Sequence, residues 1–422
     1  MEPVAVRFLA VKSVADCWAT FRHVFRSKKL TELAYFAILE VYSLLCVAVG
    51  FRSKLISFEP GSFWTYDAKL PLNIPTLTTE CLSHNLLAAE SQILWYVATQ
   101  LPWGGIIGRT HDRKNVLLLS TDWFSPAKEL YQFDSDITAV FYSKKGYVFV
   151  GTKGAVWRSG SSFQNFENVL QLSNRESIVW HNHGIDENAT ELIIGEYACV
   201  YDNKTSSWRS VAHLHLSGDN GETWRHVDTL SRHSANKHIH LVKYSGQFER
   251  TIVTIGDGRK RSYWTRDVRK FVEPSLDSFR FDSFARGGGH TGFAEVDNAI
   301  LMGTDHHGGT NSIIALHTCG QNTTRMLPGP YRRSPVINMH SIAHGDSSIT
   351  FAFLHSGLRH AWKSALIYSI DGGDRWHRLM EYDGRIACFG IVNGGRGPDA
   401  SLAITFYNVR DGETRTIILS RL

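Results

Sequence analysis

His215-Leu216-Ser217-Gly218-Asp219-Asn220-Gly221-Glu222-Thr223-Trp224 is the stretch whose reading decides the fold. Its spelling is Ser-x-Asp-x-Gly-x-Thr-Trp. Asp accepts hydrogen bonds from backbone two residues on, and Gly accepts a positive φ, so the two make a tight turn. Ser and Thr hydroxyls satisfy further turn groups, and Trp supplies an apolar anchor beneath the hairpin. The motif is a structural one, and Asp219 is expected to be a turn residue rather than a catalyst.

A second copy stands at Ser369-Ile370-Asp371-Gly372-Gly373-Asp374-Arg375-Trp376. Weaker copies are Ser120-Thr121-Asp122-Trp123, Ser159-Gly160-Ser161, Thr265-Arg266-Asp267 with Phe271 in place of Trp, and His317-Thr318-Cys319-Gly320. They recur about every 40–60 residues, the length of a four-stranded propeller blade. Between them lie short apolar runs such as Val116–Leu119, Tyr147–Val150, Leu192–Ile194 and Ile252–Thr254, strand-like in length and composition. With the final run Thr416–Ser420, the repeats number seven. The expectation is an all-β, seven-bladed propeller over residues 56–422, preceded by a helical segment over 1–55. Closure of the ring requires one chain end to complete the last blade, and Leu55-Ile56-Ser57-Phe58 is expected to do so.

Composition agrees with strands and turns. Aromatics are 12% of the 422 residues, and there are 35 Gly against 11 Pro. The formal charge of +5 is small and dispersed, which excludes a nucleic-acid footprint. Cys17, Cys46, Cys81, Cys199, Cys319 and Cys388 form no C-x-x-C pair and read as free thiols. Asn188, Asn203 and Asn322 match Asn-x-Ser/Thr at about the frequency chance gives.

Residues 5–30 are amphipathic and basic, with Arg7, Lys12, Arg22, Arg26, Lys28 and Lys29. Leu33 to Phe51 is apolar apart from Glu40, Ser43 and two tyrosines. The run starts too late for a cleaved signal peptide. It nearly reaches the ~20 residues of a membrane span, but Glu40 at its middle is costly in lipid. Three placements are open: membrane-associated by spanning, membrane-associated by lying flat on an anionic surface through residues 5–51, or a helix pair packed on the next domain. Without a span the large domain is cytoplasmic.

The chemistry-bearing feature is the set of 20 histidines, many placed where repeats begin. Trp180-His181-Asn182-His183, Lys237-His238-Ile239-His240, Gly287-Gly288-Gly289-His290 and Asn338-Met339-His340 each precede or open a strand. Inner strands line a propeller's channel, so His183, His240 and His290 are the candidate acid/base groups. Tyr263 and Asp257 complete that set. Arg259, Asp305, His306, His340 and Arg359 are candidate substrate contacts, with Asp257 and Asp305 also suited to fixing histidine tautomers. The same three histidines are the candidate ligands of a zinc or manganese ion. A third reading is a hydrogen-bonded histidine ring that carries no chemistry. No P-loop, dinucleotide fingerprint or Gly-x-Ser-x-Gly elbow occurs.

The turns, with His238-Ile239-His240, Thr254-Ile255-Gly256-Asp257-Gly258, Thr265-Arg266-Asp267 and Gly303-Thr304-Asp305, resemble the sialidase-like Asp-box (BNR-repeat) propeller proteins. The resemblance covers residues 180–335 well and omits 1–55. It implies a propeller and, because many members lie in gene clusters for surface polysaccharides, a protein acting on an acidic oligo- or polysaccharide. No Phe-Arg-Ile-Pro motif stands within 57–110, so the sialidase reaction itself is not implied. Glycoside hydrolase and polysaccharide lyase chemistry are both open, and the alternative is a propeller that binds a glycan or protein without catalysis.

Overall fold

The computed structural model describes the whole chain except residues 1–3, 27–29, 49–54, 62, 67–85, 161, 203–206, 209–210, 228–229, 231–237, 257–260, 269–289, 345–346, 359–361, 395–400, 410–411 and 422. It is a seven-bladed β-propeller with three helices at its N-terminal side.

The blades follow the chain. The first uses strands 95–100, 106–110, 116–120 and 128–132, and the second 137–142, 148–152, 155–159 and 167–171. The third uses 185–187, 192–195, 214–217 and 225–227, and the fourth 239–245, 250–255 and 261–265. The fifth uses 290–296, 299–304, 312–317 and 322–326, and the sixth 336–344, 347–354, 364–369 and 377–382. The seventh is built from 387–391, 401–408 and 414–421, with 86–91 as its outer strand.

Closure therefore differs from the expectation. Residues 86–91 pair antiparallel with the last strand, from Leu86 opposite Arg421 to Ser91 opposite Thr416. Asn393 and Gly394 add a second stitch, pairing in parallel with Ala98 and Thr99 on the inner strand of blade one. Leu55 and Phe58 instead bridge Met326 and Trp376, and Trp64–Thr65 pair with Met380 and Glu381. The chain thus runs as a belt across the outer edges of blades five and six, held by Ile56, which is buried with Leu327 and Trp376. Both segments are short and apolar enough to be strands. Only the partner edge distinguishes them, and sequence does not carry that.

The repeated turns connect third to fourth strands. In blade three the Ser217 hydroxyl donates to Asp219 (2.7 Å) and accepts from the Gly221 amide (2.7 Å). Asp219 also accepts from the amide and hydroxyl of Thr223 at 2.9 and 2.5 Å. Gly221 has φ +83°, and a Cβ there would sit 2.5 Å from the Phe149 ring of blade two. Blade six repeats the pattern with Ser369, Asp371 and Gly373, and Trp376 is fully buried below it. In blade one Asp122 accepts the Phe124 and Ser125 amides. In blades three and six the turn glycine fits against the preceding blade, Gly221 against Phe149 and Gly373 against Leu301.

Three helices, α1 (Val4–Ala10), α2 (Val14–Arg26) and α3 (Leu30–Ala48), pack through Phe8, which meets Phe21 and Phe36 at ring distances of 5.4 and 6.3 Å. Ser13 caps α2 by accepting the Asp16 amide, while Asp16 accepts the Lys12 amide. Among the described residues, no helix is long and apolar enough to cross a membrane. Among the described residues, Cys17, Cys199, Cys319 and Cys388 are not in disulfide bonds.

Candidate active site at the channel mouth

In every blade the first strand starts, and the second ends, at the same end of the propeller. Linkers between blades and loops between second and third strands therefore gather there, at the mouth. The Ser-x-Asp turns lie at the opposite end, which keeps Asp219 away from any mouth chemistry.

The inner strands share a local irregularity at the mouth. The ladder skips one residue between Trp95 and Val97, Ile137 and Ala139, Ile239 and Leu241, His290 and Gly292, and Val336 and Asn338. The bulged residues are Tyr96, Thr138, His240, Thr291 and Ile337. A bulge re-aims its side chain out of the normal alternation. In this register His240 is equivalent to Tyr96, and Lys243 is equivalent to His340.

His240 is 2% exposed, with its Nε2 2.9 Å from Nε2 of His238. His238 Nδ1 lies 2.9 Å from the carbonyl oxygen of Ala198, so it carries the proton and donates. Its Nε2 is then an acceptor, and His240 donates from Nε2. His238 thus does the work assigned in sequence to an aspartate. Gly256 makes the space, because a Cβ there would overlap the His240 ring.

The turn His181–His183 enters the channel from the linker before blade three and rests against the inner strands of blades two and four and against 393–394. His181 has φ +46°, a left-handed conformation uncommon among non-glycine residues though favoured by histidine more than by most. Trp180, Tyr197, His238 and His240 stack beside it, with Trp180–Tyr197 centroids 5.0 Å apart. Tyr96 closes the other side, 5.9 Å from His181 and under the Arg109 guanidinium.

The electrostatics show which groups lie in one another's field. Burial holds the His183 imidazole well below its ordinary range, and Lys243, His181, His340 and His240 push it the same way. Burial and Arg109 bring His181 down to about 4. The cluster thus draws on blades one, three, four and six and presents the neutral imidazoles of His181 and His183 in the field of a lysine. Neutral imidazole both accepts a proton and, after accepting, donates one.

Of the residues singled out in sequence, the channel brings together His183, His240 and His340. His290 is directed elsewhere. It occupies the position before the bulge, equivalent to Ile239, and its Nδ1 lies 2.7 Å from the Ser262 hydroxyl of blade four. Tyr263 is buried in the core between blades three and four with Ile193, Leu214 and Val253. Asp305 and His306 lie in the mouth loop of blade five, where Asn311 holds the loop by accepting the His306 amide at 2.8 Å. Asp257, Arg259 and Arg359 lie outside the described residues. Among the described residues, no group of three or more His, Cys, Asp or Glu is placed to hold a metal ion. Sequence reading passed over His181, Lys243, Tyr96 and Arg109. Lys243 had a signal, a lysine directly after Leu241-Val242 within one strand.

Comparison with known proteins gives the fold and no family. No family model matches the chain, and no curated protein matches it. A structure of a catalytically inactive histidine-to-alanine variant of virginiamycin B lyase from Staphylococcus aureus with quinupristin superposes with TM-score 0.51 at 13% identity, covering 80% of this chain and 99% of that one. A mitotic checkpoint complex structure superposes with TM-score 0.50 at 10% identity, covering 83% and 98%. A streptogramin B lyase structure gives TM-score 0.49 at 12% identity, over 79% and 97%. At such identities these are likenesses of propeller architecture.

Proposed function

We propose that this protein is a polysaccharide lyase-type enzyme whose channel mouth takes a carboxylate-bearing glycan. The observation that carries the reading is the packing of the His181–His183 turn on the inner strand that bears His240 and Lys243, with burial and the fields of Lys243, His181, His340 and His240 keeping His183 neutral. In an elimination, neutral His183 takes the proton from the carbon bearing the carboxylate. That electron pair becomes a carbon–carbon double bond as the bond to the neighbouring sugar's oxygen breaks, and the imidazolium returns the proton to the departing oxygen. The Lys243 ammonium neutralises the carboxylate and so stabilises charge developing on it. The aromatic wall of Trp180 and Tyr197 suits the apolar face of a sugar ring. Hydrolysis normally relies on two carboxylates, whereas the groups gathered here are imidazoles and an amine. The repeated turns, read as Asp-boxes, agree with a sialidase-like scaffold in surface-polysaccharide synthesis or turnover. Incubation with a panel of acidic polysaccharides, followed at the ultraviolet absorbance of unsaturated uronates, tests the reading. Absorbance growth with at least one polymer is expected, and none with any polymer sinks it.

A second reading is a glycan-binding propeller without turnover. It is favoured by the mutual hydrogen bond of His238 and His240, which fixes both rings. Saturable binding of an acidic polymer with no product would select it.

We also propose that α2 rests on an anionic membrane surface. Val14, Trp18, Phe21 and Phe25 form an exposed stripe at helical spacing, with Trp18 66% and Phe25 62% exposed, flanked by exposed Arg22 and Arg26. Co-sedimentation with phosphatidylglycerol-containing vesicles, lost in Trp18→Ser/Phe25→Ser and absent with phosphatidylcholine alone, is the expected result. Equal recovery in the supernatant with both lipids would refute it.

A further inference from the structure

Glu40, at the middle of the apolar helix α3, turns its carboxylate to the propeller. Its carboxylate accepts from both terminal nitrogens of Arg333, with Nη2 at 2.7 Å, from Nη2 of Arg332 at 3.3 Å and from the Thr310 hydroxyl at 3.2 Å. The two arginines lie in the linker between blades five and six, and Thr310 lies in the loop between the second and third strands of blade five. Both segments belong to the mouth end by the strand order given above. Arg333 is 7% and Thr310 2% exposed. Arg333 is further fixed by donating to the Gly308 carbonyl at 3.0 Å and by lying 5.9 Å from the Trp362 ring of blade six. This is a planar fork facing a carboxylate, the geometry by which arginine holds a carboxylate or phosphate through two parallel hydrogen bonds.

We propose that Arg332, Arg333 and Thr310 form a binding site at the mouth for the carboxylate of an acidic sugar, and that Glu40 of α3 occupies it as a built-in competitor. This inference rests on reading the mouth as an acidic-glycan site. Three facts favour a displaceable occupant over simple helix docking. Adjacent guanidiniums repel one another and lose solvation here, so the clamp requires an anion in place. The anion is delivered by a helix that also packs on α1 and α2. That helix also keeps Val41, Leu44 and Leu45 exposed, so these three side chains add little apolar hold on the propeller. A tethered carboxylate competes at an effective concentration in the millimolar range. Glu40 then sets a threshold that a polymer with many carboxylates overcomes and a single sugar does not.

The test compares wild type, Glu40→Gln and Glu40→Gln/Arg333→Lys as full chains, by calorimetric titration with D-glucuronate, D-glucose and trigalacturonate. Hydrogen exchange of α3 is read in parallel. Expected are at least tenfold tighter D-glucuronate binding in Glu40→Gln than in wild type, loss of that gain in the double variant, no binding of D-glucose, and faster α3 exchange when trigalacturonate is added to wild type. Lysine keeps the charge but not the fork, so a folded double variant that binds as tightly as Glu40→Gln overturns the clamp. Faster α3 exchange in Glu40→Gln without D-glucuronate binding overturns it too, leaving the ion pair a docking contact. Equal trigalacturonate affinity in wild type and Glu40→Gln overturns the competitor while the proposed function stands. D-glucuronate binding to Glu40→Gln with no polymer bound or cleaved upholds the clamp and removes the proposed function.

Discussion

His240 Nε2 lies 2.9 Å from His238 Nε2, and the other nitrogen of His238 is 2.9 Å from the Ala198 carbonyl oxygen. That chain of contacts fixes one tautomer on each ring. It depends on Gly256, whose missing side chain leaves room for the His240 ring. Gly256→Ala is expected to expel His240 from the channel and to cost about 1–3 kcal/mol through overpacking. Chemical denaturation and a histidine-resolved NMR spectrum check both. An unchanged His240 resonance would show that the pocket tolerates the methyl.

The channel histidines make a pH prediction with a definite sign. His181 is brought to about 4 by burial and Arg109, and His355 to about 4 by burial and His307. Between about 4 and 6.5 the unfolded chain therefore takes up protons that the folded one refuses. Stability rises with pH through that window, is fully present above 6.5, and is lost as pH falls toward 4. Urea midpoints at pH 5, 6 and 7 should rise in that order, and His181→Asn/His355→Gln should flatten the trend. Midpoints that are flat in the wild type would contradict the burial of these rings.

Closure by residues 86–91 rather than 55–58 is also testable. Leu86 is fully buried in the core shared by blades six and seven, whereas Leu55 is half-buried at the belt. Leu86→Ala is expected to cost about 2–5 kcal/mol, and Leu55→Ala clearly less. Equal losses would return the closing strand to the earlier segment.

Much of this architecture is local and therefore legible in the sequence. Ser217, Asp219, Gly221 and Trp224 specify their turn among themselves, and the interval between copies specifies the blade. His183, His240 and His340 were visible because they begin repeats. What was not visible depends on register and on neighbours. His290 stands one position short of the bulge that aims Thr291, and it meets Ser262 of another blade. Tyr263 looks like a mouth residue beside Arg261 and Ser262, yet strand alternation turns it into the core. Lys243 gained its meaning only once the shared bulge placed it level with His340. Glu40 looked like a defect in an apolar run until Arg332 and Arg333 were found facing it.

The turn glycine gives a prediction separate from catalysis. Gly221 combines φ +83° with a close approach to Phe149. Gly221→Ala should destabilise by about 1–3 kcal/mol and leave the rate of any glycan turnover unchanged, since it lies at the end opposite the mouth. Thermal unfolding and an activity assay on the same preparation decide it. A lost rate with unchanged stability would move the chemistry to the wrong end of the propeller.

The role of the channel histidines stands or falls on one comparison, the rate of unsaturated uronate formation from an acidic polysaccharide by wild type and by His183→Asn, both shown to be folded. Loss of at least a hundredfold in the variant, with polymer binding retained, is the predicted result, in line with the usual worth of a general base. Equal rates in the two proteins would contradict it.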